Sequence, residues 1–156
     1  MEKRALPKTE EMKKRTSLRQ SRPTPRPRIL IACGDGDLCL GLAVLLCDIT
    51  PHIDIVRTKD ELEERSHTEH YDLIITRFVS LLVGTRSLPR RLRHEGLSPR
   101  FFALAPLGNS DSDVELSLRI LEGGTTQLFS LPVSAARLHK KAEDELEMQN
   151  SKLDLR

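Results

Sequence analysis

Three groups of side chains in this sequence have the types and spacing to do chemistry. The first is Cys33-Gly34-Asp35-Gly36-Asp37, whose glycines and carboxylates suggest a phosphate-binding or calcium-binding loop. A phosphate loop also needs a Lys at fixed spacing, and a calcium loop needs a longer ligand run with its glycine at the centre. Neither is here, so the segment reads as a strand-to-helix turn with Asp37 as the helix cap. The second group is His67 and His70, half of a metal site without further ligands, which reads as a solvated helix end. The third is Arg86, Arg90, Arg91 and Arg93, a basic cluster that could meet phosphate or nucleic acid but reads first as a solvated helix face. Ser, His and Asp all occur, yet no G-x-S-x-G elbow presents a nucleophile, so no hydrolase activity is expected. The cysteines Cys33, Cys39 and Cys47 are odd in number and lack a framework spacing. They read as free, mostly buried thiols in a reducing, cytoplasmic setting.

The elements that must position these groups alternate between strand and helix. Arg28–Cys33 is a short apolar run of buried-strand type. A helix follows through Leu38–Ile49, ended by Pro51. Ile53–Arg57 reads as a second strand, and Thr58 caps a charged helix over Lys59–His67. Tyr71–Arg77 is a third strand, Leu88–Glu95 a short helix stopped by Gly96, and Arg100–Ala105 a fourth strand. Ser110–Glu122 is a helix closed by Gly123 and Gly124. Thr126–Ser130 is a fifth strand. A last helix runs from Val133 to about Met148 with Leu138, Ala142 and Leu146 on one face. Such alternation implies parallel strands with right-handed crossovers. The expected fold is a flavodoxin-like, doubly wound α/β domain. It has a five-stranded parallel sheet of order 2-1-3-4-5 and helices on both faces. Sites in such sheets lie at the carboxyl ends of the strands, which directs attention to Cys33, Arg77, Ala105 and Ser130.

Length and charge set the frame. The 156 residues suit one domain with tails. Residues 1–27 carry nine Lys/Arg against three Glu and four prolines, while the remainder is net acidic. They read as a disordered basic arm, followed by a folded domain over 28–148 and a tail over 149–156. The most apolar run, Leu38 to Cys47, is far shorter than the ~20 residues that cross a membrane. The charged N-terminus has no apolar segment, so neither a signal peptide nor membrane association is expected.

Four stretches in order carry a family resemblance. RILIACGDGDLCLGLAVLL, YDLIITR, LPRRLRHEGLSPRFFALAP and LEGGTTQLFSLPVS together resemble the response-regulator receiver domain of two-component signalling over residues 28–148. The resemblance implies a site. A carboxylate at the end of the third strand accepts a phosphoryl group, and an acidic pair after the first strand holds Mg²⁺. A hydroxyl and a Lys end the fourth and fifth strands. Carried over by position, these fall on Arg77, on Cys33 and Gly34, on Ala105, and on Leu131. The family's aromatic switch position falls on Leu128. None matches. Arg stays protonated and cannot be a phosphoryl nucleophile, and Cys33 and Gly34 offer no hard oxygen ligand.

The sequence therefore reads as a degenerate pseudo-receiver with no cofactor and no metal. It is expected to act by binding a protein, either a signalling partner or a second copy of itself. The vacated pocket comprises Cys33, Gly34, Asp35, Arg77, Ala105 and Leu131, with Arg77 expected to pair with Asp35 or to turn to water. The resemblance also implies a cis bond at Leu131-Pro132. The expected interaction surface has two parts. On the first helix, Leu38, Leu42, Leu45 and Ile49 supply a core stripe, leaving Leu40, Ala43, Val44 and Cys47 outward without a charge among them, a face for a partner unless the N-terminal arm or the last helix covers it. Beside the pocket lie Phe78, Leu81 and Leu82, which either plug it or face a partner, with Leu128 nearby. Two rival readings stand. One is a nucleic-acid-associated regulator using weak, non-specific contacts of the basic arm. The other is a small-ligand-binding or enzymatic domain on the same fold.

Overall fold

A computed structural model describes residues 26–154, with side chains through Glu147. Five strands, β1 (Ile29–Ala32), β2 (Ile53–Val56), β3 (Leu73–Thr76), β4 (Arg100–Ala105) and β5 (Gln127–Ser130), form one sheet in the order β2-β1-β3-β4-β5. Every pairing is parallel. Five helices connect and follow them: α1 (Gly36–Leu46), α2 (Lys59–Thr68), α3 (Leu88–His94), α4 (Asp111–Glu122) and α5 (Ala135–Asp154). This is the doubly wound sheet of order 2-1-3-4-5 that the alternation implies.

The strands form because their apolar residues are shared between two cores. Ile29, Ile31, Leu73, Ile75, Phe102 and Phe129 face α1 and α5 on one side. Leu30, Ile74, Phe101 and Ala103 face α2, α3 and α4 on the other. Burial on both faces explains why β1 and β3 read as unbroken apolar runs rather than alternating ones.

Each helix start has a side-chain cap. The Asp35 carboxylate accepts from the N–H groups of Asp37 and Leu38, so α1 is capped two residues before the expected Asp37. Thr58 and Glu61 make a reciprocal capping box on α2. Ser87 caps α3 and Ser110 caps α4. Gly96, at φ +83°, turns the chain out of α3. At the close of α4, a Cβ on Gly123 would lie only 1.9 Å from the Leu82 carbonyl oxygen, so that approach admits no side chain.

Three expectations change. α1 ends at Leu46 rather than Ile49, and its deepest residues are Cys39, Leu42 and Leu46. Leu38, Leu45 and Ile49 are only partly buried, and Ala43 packs against the core instead of facing out. A helix with almost no polar residue carries no pattern from which its rotation can be read. Leu82 is fully buried and is not surface. The short 3-10 turn Val79–Leu81 drives it inward, and half-buried Phe78, Val79, Leu81 and Val83 pack on the same core. α5 continues to Asp154 across the expected tail, because Glu143 to Lys152 contains good helix formers and no breaker. The proposed arm lies outside the described residues except for Arg26 and Pro27. The Pro27 carbonyl accepts a 2.6 Å hydrogen bond from the Thr50 hydroxyl.

Candidate functional site

Register brings the vacated-pocket residues to one edge. Ala32 is level with Val56 and Thr76, Thr76 with Ala103, and Ala105 with Ser130. Cys33, Arg57 and Arg77 therefore follow β1, β2 and β3 side by side, at the carboxyl edge of the sheet. The chain continues the ladder for one more step, with Cys33 N–H donating to Val56 and Arg77 N–H to Ala32. Ala105 is buried, and its carbonyl accepts from the N–H of Leu131 at 2.9 Å. The Leu131-Pro132 bond is cis.

The polar contacts here differ from those expected. Asp35 is committed to capping α1 and does not pair with Arg77. Among the described residues the half-buried Arg77 side chain makes no hydrogen bond or ion pair; of the two expected outcomes, pairing with Asp35 is excluded. Arg57, which sequence reasoning passed over, reaches into the turn after β1. Its Nη2 donates to the Gly34 carbonyl at 2.6 Å. Gly36 makes room for it, since a Cβ there would sit 3.0 Å from Arg57 Nη1. Lys59 Nζ donates to Ser80 Oγ at 3.3 Å across the same edge. The only available signal for Arg57 was its place one residue past β2, a strand end outside the four interrogated.

Cys33 and Cys39 lie side by side under the turn, both 1% exposed, with their sulfurs 3.0 Å apart. Burial, reinforced by Cys33, pushes the Cys39 thiol up to about 12. The edge thus carries three cations, a capping carboxylate and two thiols. Among the described residues no group of three His, Cys, Asp or Glu side chains gathers to hold a metal. No described helix is long and apolar enough to cross a membrane.

The other polar groups are absorbed into the scaffold. Arg91 of the basic cluster makes a two-pronged pair with Glu63 at 2.8 and 2.7 Å, and Arg90 donates to the last carbonyl of α4, that of Glu122. Glu63 is held below the usual carboxylate range, first by the Arg91 hydrogen bond. His67 bonds Glu95 at 2.8 Å, joining α2 to the end of α3. At the amino edge, Asp54 Oδ2 accepts from Tyr71 at 2.7 Å, Arg65 at 3.0 Å and Arg28 at 3.3 Å. Burial pulls Asp54 upward, but Tyr71 and the two arginines outweigh it and hold the carboxyl low. A cleft beside Tyr71, Glu69, His70 and Leu97 holds about 10 Å³, room for a water but not an organic ligand.

Two apolar stripes stand out in water. On α1, Leu40 and Val44 are 62% and 65% exposed, with Cys47 exposed one turn on. On α4, Val114, Leu118 and Leu121 are 50%, 55% and 46% exposed, and Ile120 alone in that helix is buried. The α4 stripe went unread, although its spacing of four and three is visible in VELSLRIL. Leu128 is half-buried against the α2–α4 core.

No protein-family model matches the chain, and no curated protein matches it. Solved structures do. A signal receiver domain of an HD domain-containing protein from Pseudomonas fluorescens superposes with a TM-score of 0.66 at 22% identity, covering 88% of this chain and 98% of that one. The N-terminal domain of an uncharacterised protein from Wolinella succinogenes gives 0.65 at 18%, covering 82% and 99%. A Francisella response regulator receiver domain gives 0.59 at 18%, covering 79% and 98%. With its 2-1-3-4-5 parallel sheet and these neighbours, the chain has the receiver fold.

Proposed function

We propose that this chain is a phosphorylation-independent, receiver-like signalling module that works by binding a protein. One observation carries the reading. Matched by position to the receiver pattern, the sequence has Arg77 for the acceptor, Cys33 and Gly34 for the acidic pair, and Ala105 and Leu131 for the hydroxyl and the Lys. Arginine cannot attack phosphorus, and the cations there repel Mg²⁺ rather than gather it. With chemistry removed, the remaining feature that calls for an occupant is exposed apolar surface. Leu40, Val44 and Cys47 make a stripe along a helix with no charge between Asp37 and Asp48. Contiguous exposed apolar residues of that kind mark interfaces.

The test is capture on immobilised full-length chain, comparing the native protein with Val44→Glu. Proteins held by the native chain, or a second copy of it, are expected to fall away from Val44→Glu by at least about tenfold. Circular dichroism of the variant should stay unchanged, because Val44 is exposed. Equal retention by both would overturn α1 as the interface. Repeating the experiment with Val114→Glu separates the α4 stripe. The rival in which residues 1–27 contact nucleic acid predicts salt-sensitive retention on DNA or RNA that disappears when they are deleted.

A further inference from the structure

The proposed function uses neither buried thiol, yet the fold sets them against each other. Cys33 is the residue that follows β1, and Cys39 lies in the first turn of α1. Their sulfurs are 3.0 Å apart, inside ordinary sulfur–sulfur contact. Cys33 Sγ also lies 3.3 Å from the Asp35 carbonyl, and Cys39 Sγ lies 3.4 Å from the Cys33 carbonyl. Five residues lie between them, and the first three are Gly34-Asp35-Gly36, of which the two glycines bring no side chain over the pair. Gly34 and Asp35 are exposed, and a Cβ on Gly34 would meet nothing nearer than 4.0 Å. On the side of Cys33 the cover is this exposed turn, with the Arg57 guanidinium bound to its Gly34 carbonyl.

We propose that Cys33 and Cys39 are a redox modification site, closed to an intramolecular disulfide by an oxidant of the hydroperoxide class. The sulfurs need to approach by only about 1 Å to reach bonding distance. A hydroperoxide transfers one oxygen to the Cys33 sulfur, giving a sulfenic acid and releasing the corresponding alcohol, or water from hydrogen peroxide. Cys39 sulfur then attacks the Cys33 sulfur. The sulfur–oxygen bond breaks, and the hydroxyl leaves as water with the Cys39 proton. Two thiols have lost two hydrogens, and the peroxide has taken them. A dithiol reductant reverses the bond by exchange. The order follows from place: Cys33 adjoins the exposed Gly34, whereas Cys39 sits within the helix. The bond would pin the first turn of α1 to the end of β1, beside the Gly34 carbonyl that Arg57 holds. Cys47 is exposed on the far end of α1 and takes no part.

The experiment uses full-length protein, native and Cys47→Ser, exposed to hydrogen peroxide while folded. Quenching, unfolding and alkylation then precede intact-mass measurement. The expected mass of Cys47→Ser is lower by two hydrogens with no alkyl group added, and the native chain takes one alkyl group, on Cys47. Dithiothreitol should restore two further alkylation sites in each. Circular dichroism should be unchanged by the oxidation. Cys33→Ser and Cys39→Ser should each block the two-hydrogen loss. Persistence of two alkylatable thiols in Cys47→Ser would overturn the proposal. So would oxygen adducts on one cysteine with the other still alkylatable, or disulfides only between chains.

Discussion

At the amino edge of the sheet one carboxylate is the hub. Asp54 receives Tyr71, Arg65 and Arg28, Arg28 also stacks on the Tyr71 ring at 4.8 Å, and the Arg28 N–H donates to Asp72 at 2.8 Å. At the carboxyl edge no such hub exists among the described residues. Arg57 holds a backbone carbonyl, Lys59 reaches Ser80, and Asp35 serves its own helix. The amino edge of this sheet ties β1, β2 and β3 together through Asp54, whereas the carboxyl edge is held by separate local contacts. Side chains at the amino edge thus converge on one shared carboxylate, whereas those at the carboxyl edge make separate single contacts.

The comparison can be broken by mutation. Asp54→Ala removes the shared acceptor and strands Tyr71 and two arginines. It should lower stability by about 1–2 kcal/mol, the partly exposed carboxylate keeping the loss at the low end for a charged hydrogen bond. Urea unfolding reads this as a lower midpoint at unchanged slope. An unchanged midpoint would show that the amino edge is not a structural tie.

Acid should act through the same carboxylates. The folded-state values of Asp54 and Glu63 are depressed, so their contribution is fully present above the unfolded carboxyl value of about 4. It is lost as pH falls through the lower folded value. The urea midpoint is therefore expected to drop below about pH 4, and Asp54→Asn should flatten part of that drop. A variant with the same acid profile as the native chain would remove Asp54 from the account.

At the carboxyl edge the effects should be smaller. Arg57→Ala loses one hydrogen bond to Gly34 and should cost about 0.5–1 kcal/mol. Arg77→Ala should lie within about 0.5 kcal/mol of the native chain, since no described residue depends on it. A loss above about 2 kcal/mol on Arg77→Ala would reveal a structural partner and erase the contrast between the edges.

Much of this was legible in the sequence, and the exceptions have physical causes. β4 begins and ends where RFFALA does, because a doubly buried strand is a bounded apolar run. Thr58 and the Gly96 stop are local signals and appear where they were read. The rotation of α1 was not legible, since LCLGLAVLL looks alike from every side, and so Ala43 was placed outward when it packs inward. Leu82 looked like loop surface because its burial is decided by long-range packing near Gly123. Of the site, the sequence offers Arg77, Cys33, Gly34, Ala105 and Leu131 by position, and the register sets Cys33, Arg77 and Ala105 along the carboxyl edge of the sheet. Arg57 was not legible, because a strand-end arginine has no motif, and the Cys33–Cys39 contact depends on the turn between them. The exposed stripe on α4 lay in plain view in its spacing, but which side of a helix meets the sheet is a tertiary fact.

On the proposed function, this receiver fold runs without phosphoryl transfer. Its most direct test is incubation of the full-length chain with a small-molecule phosphodonor and Mg²⁺, followed by intact-mass measurement under conditions that preserve acyl phosphates. The mass should not change, with or without Mg²⁺, and partner capture should be the same before and after. A Mg²⁺-dependent gain of one phosphoryl group, about 80 Da, would contradict the account.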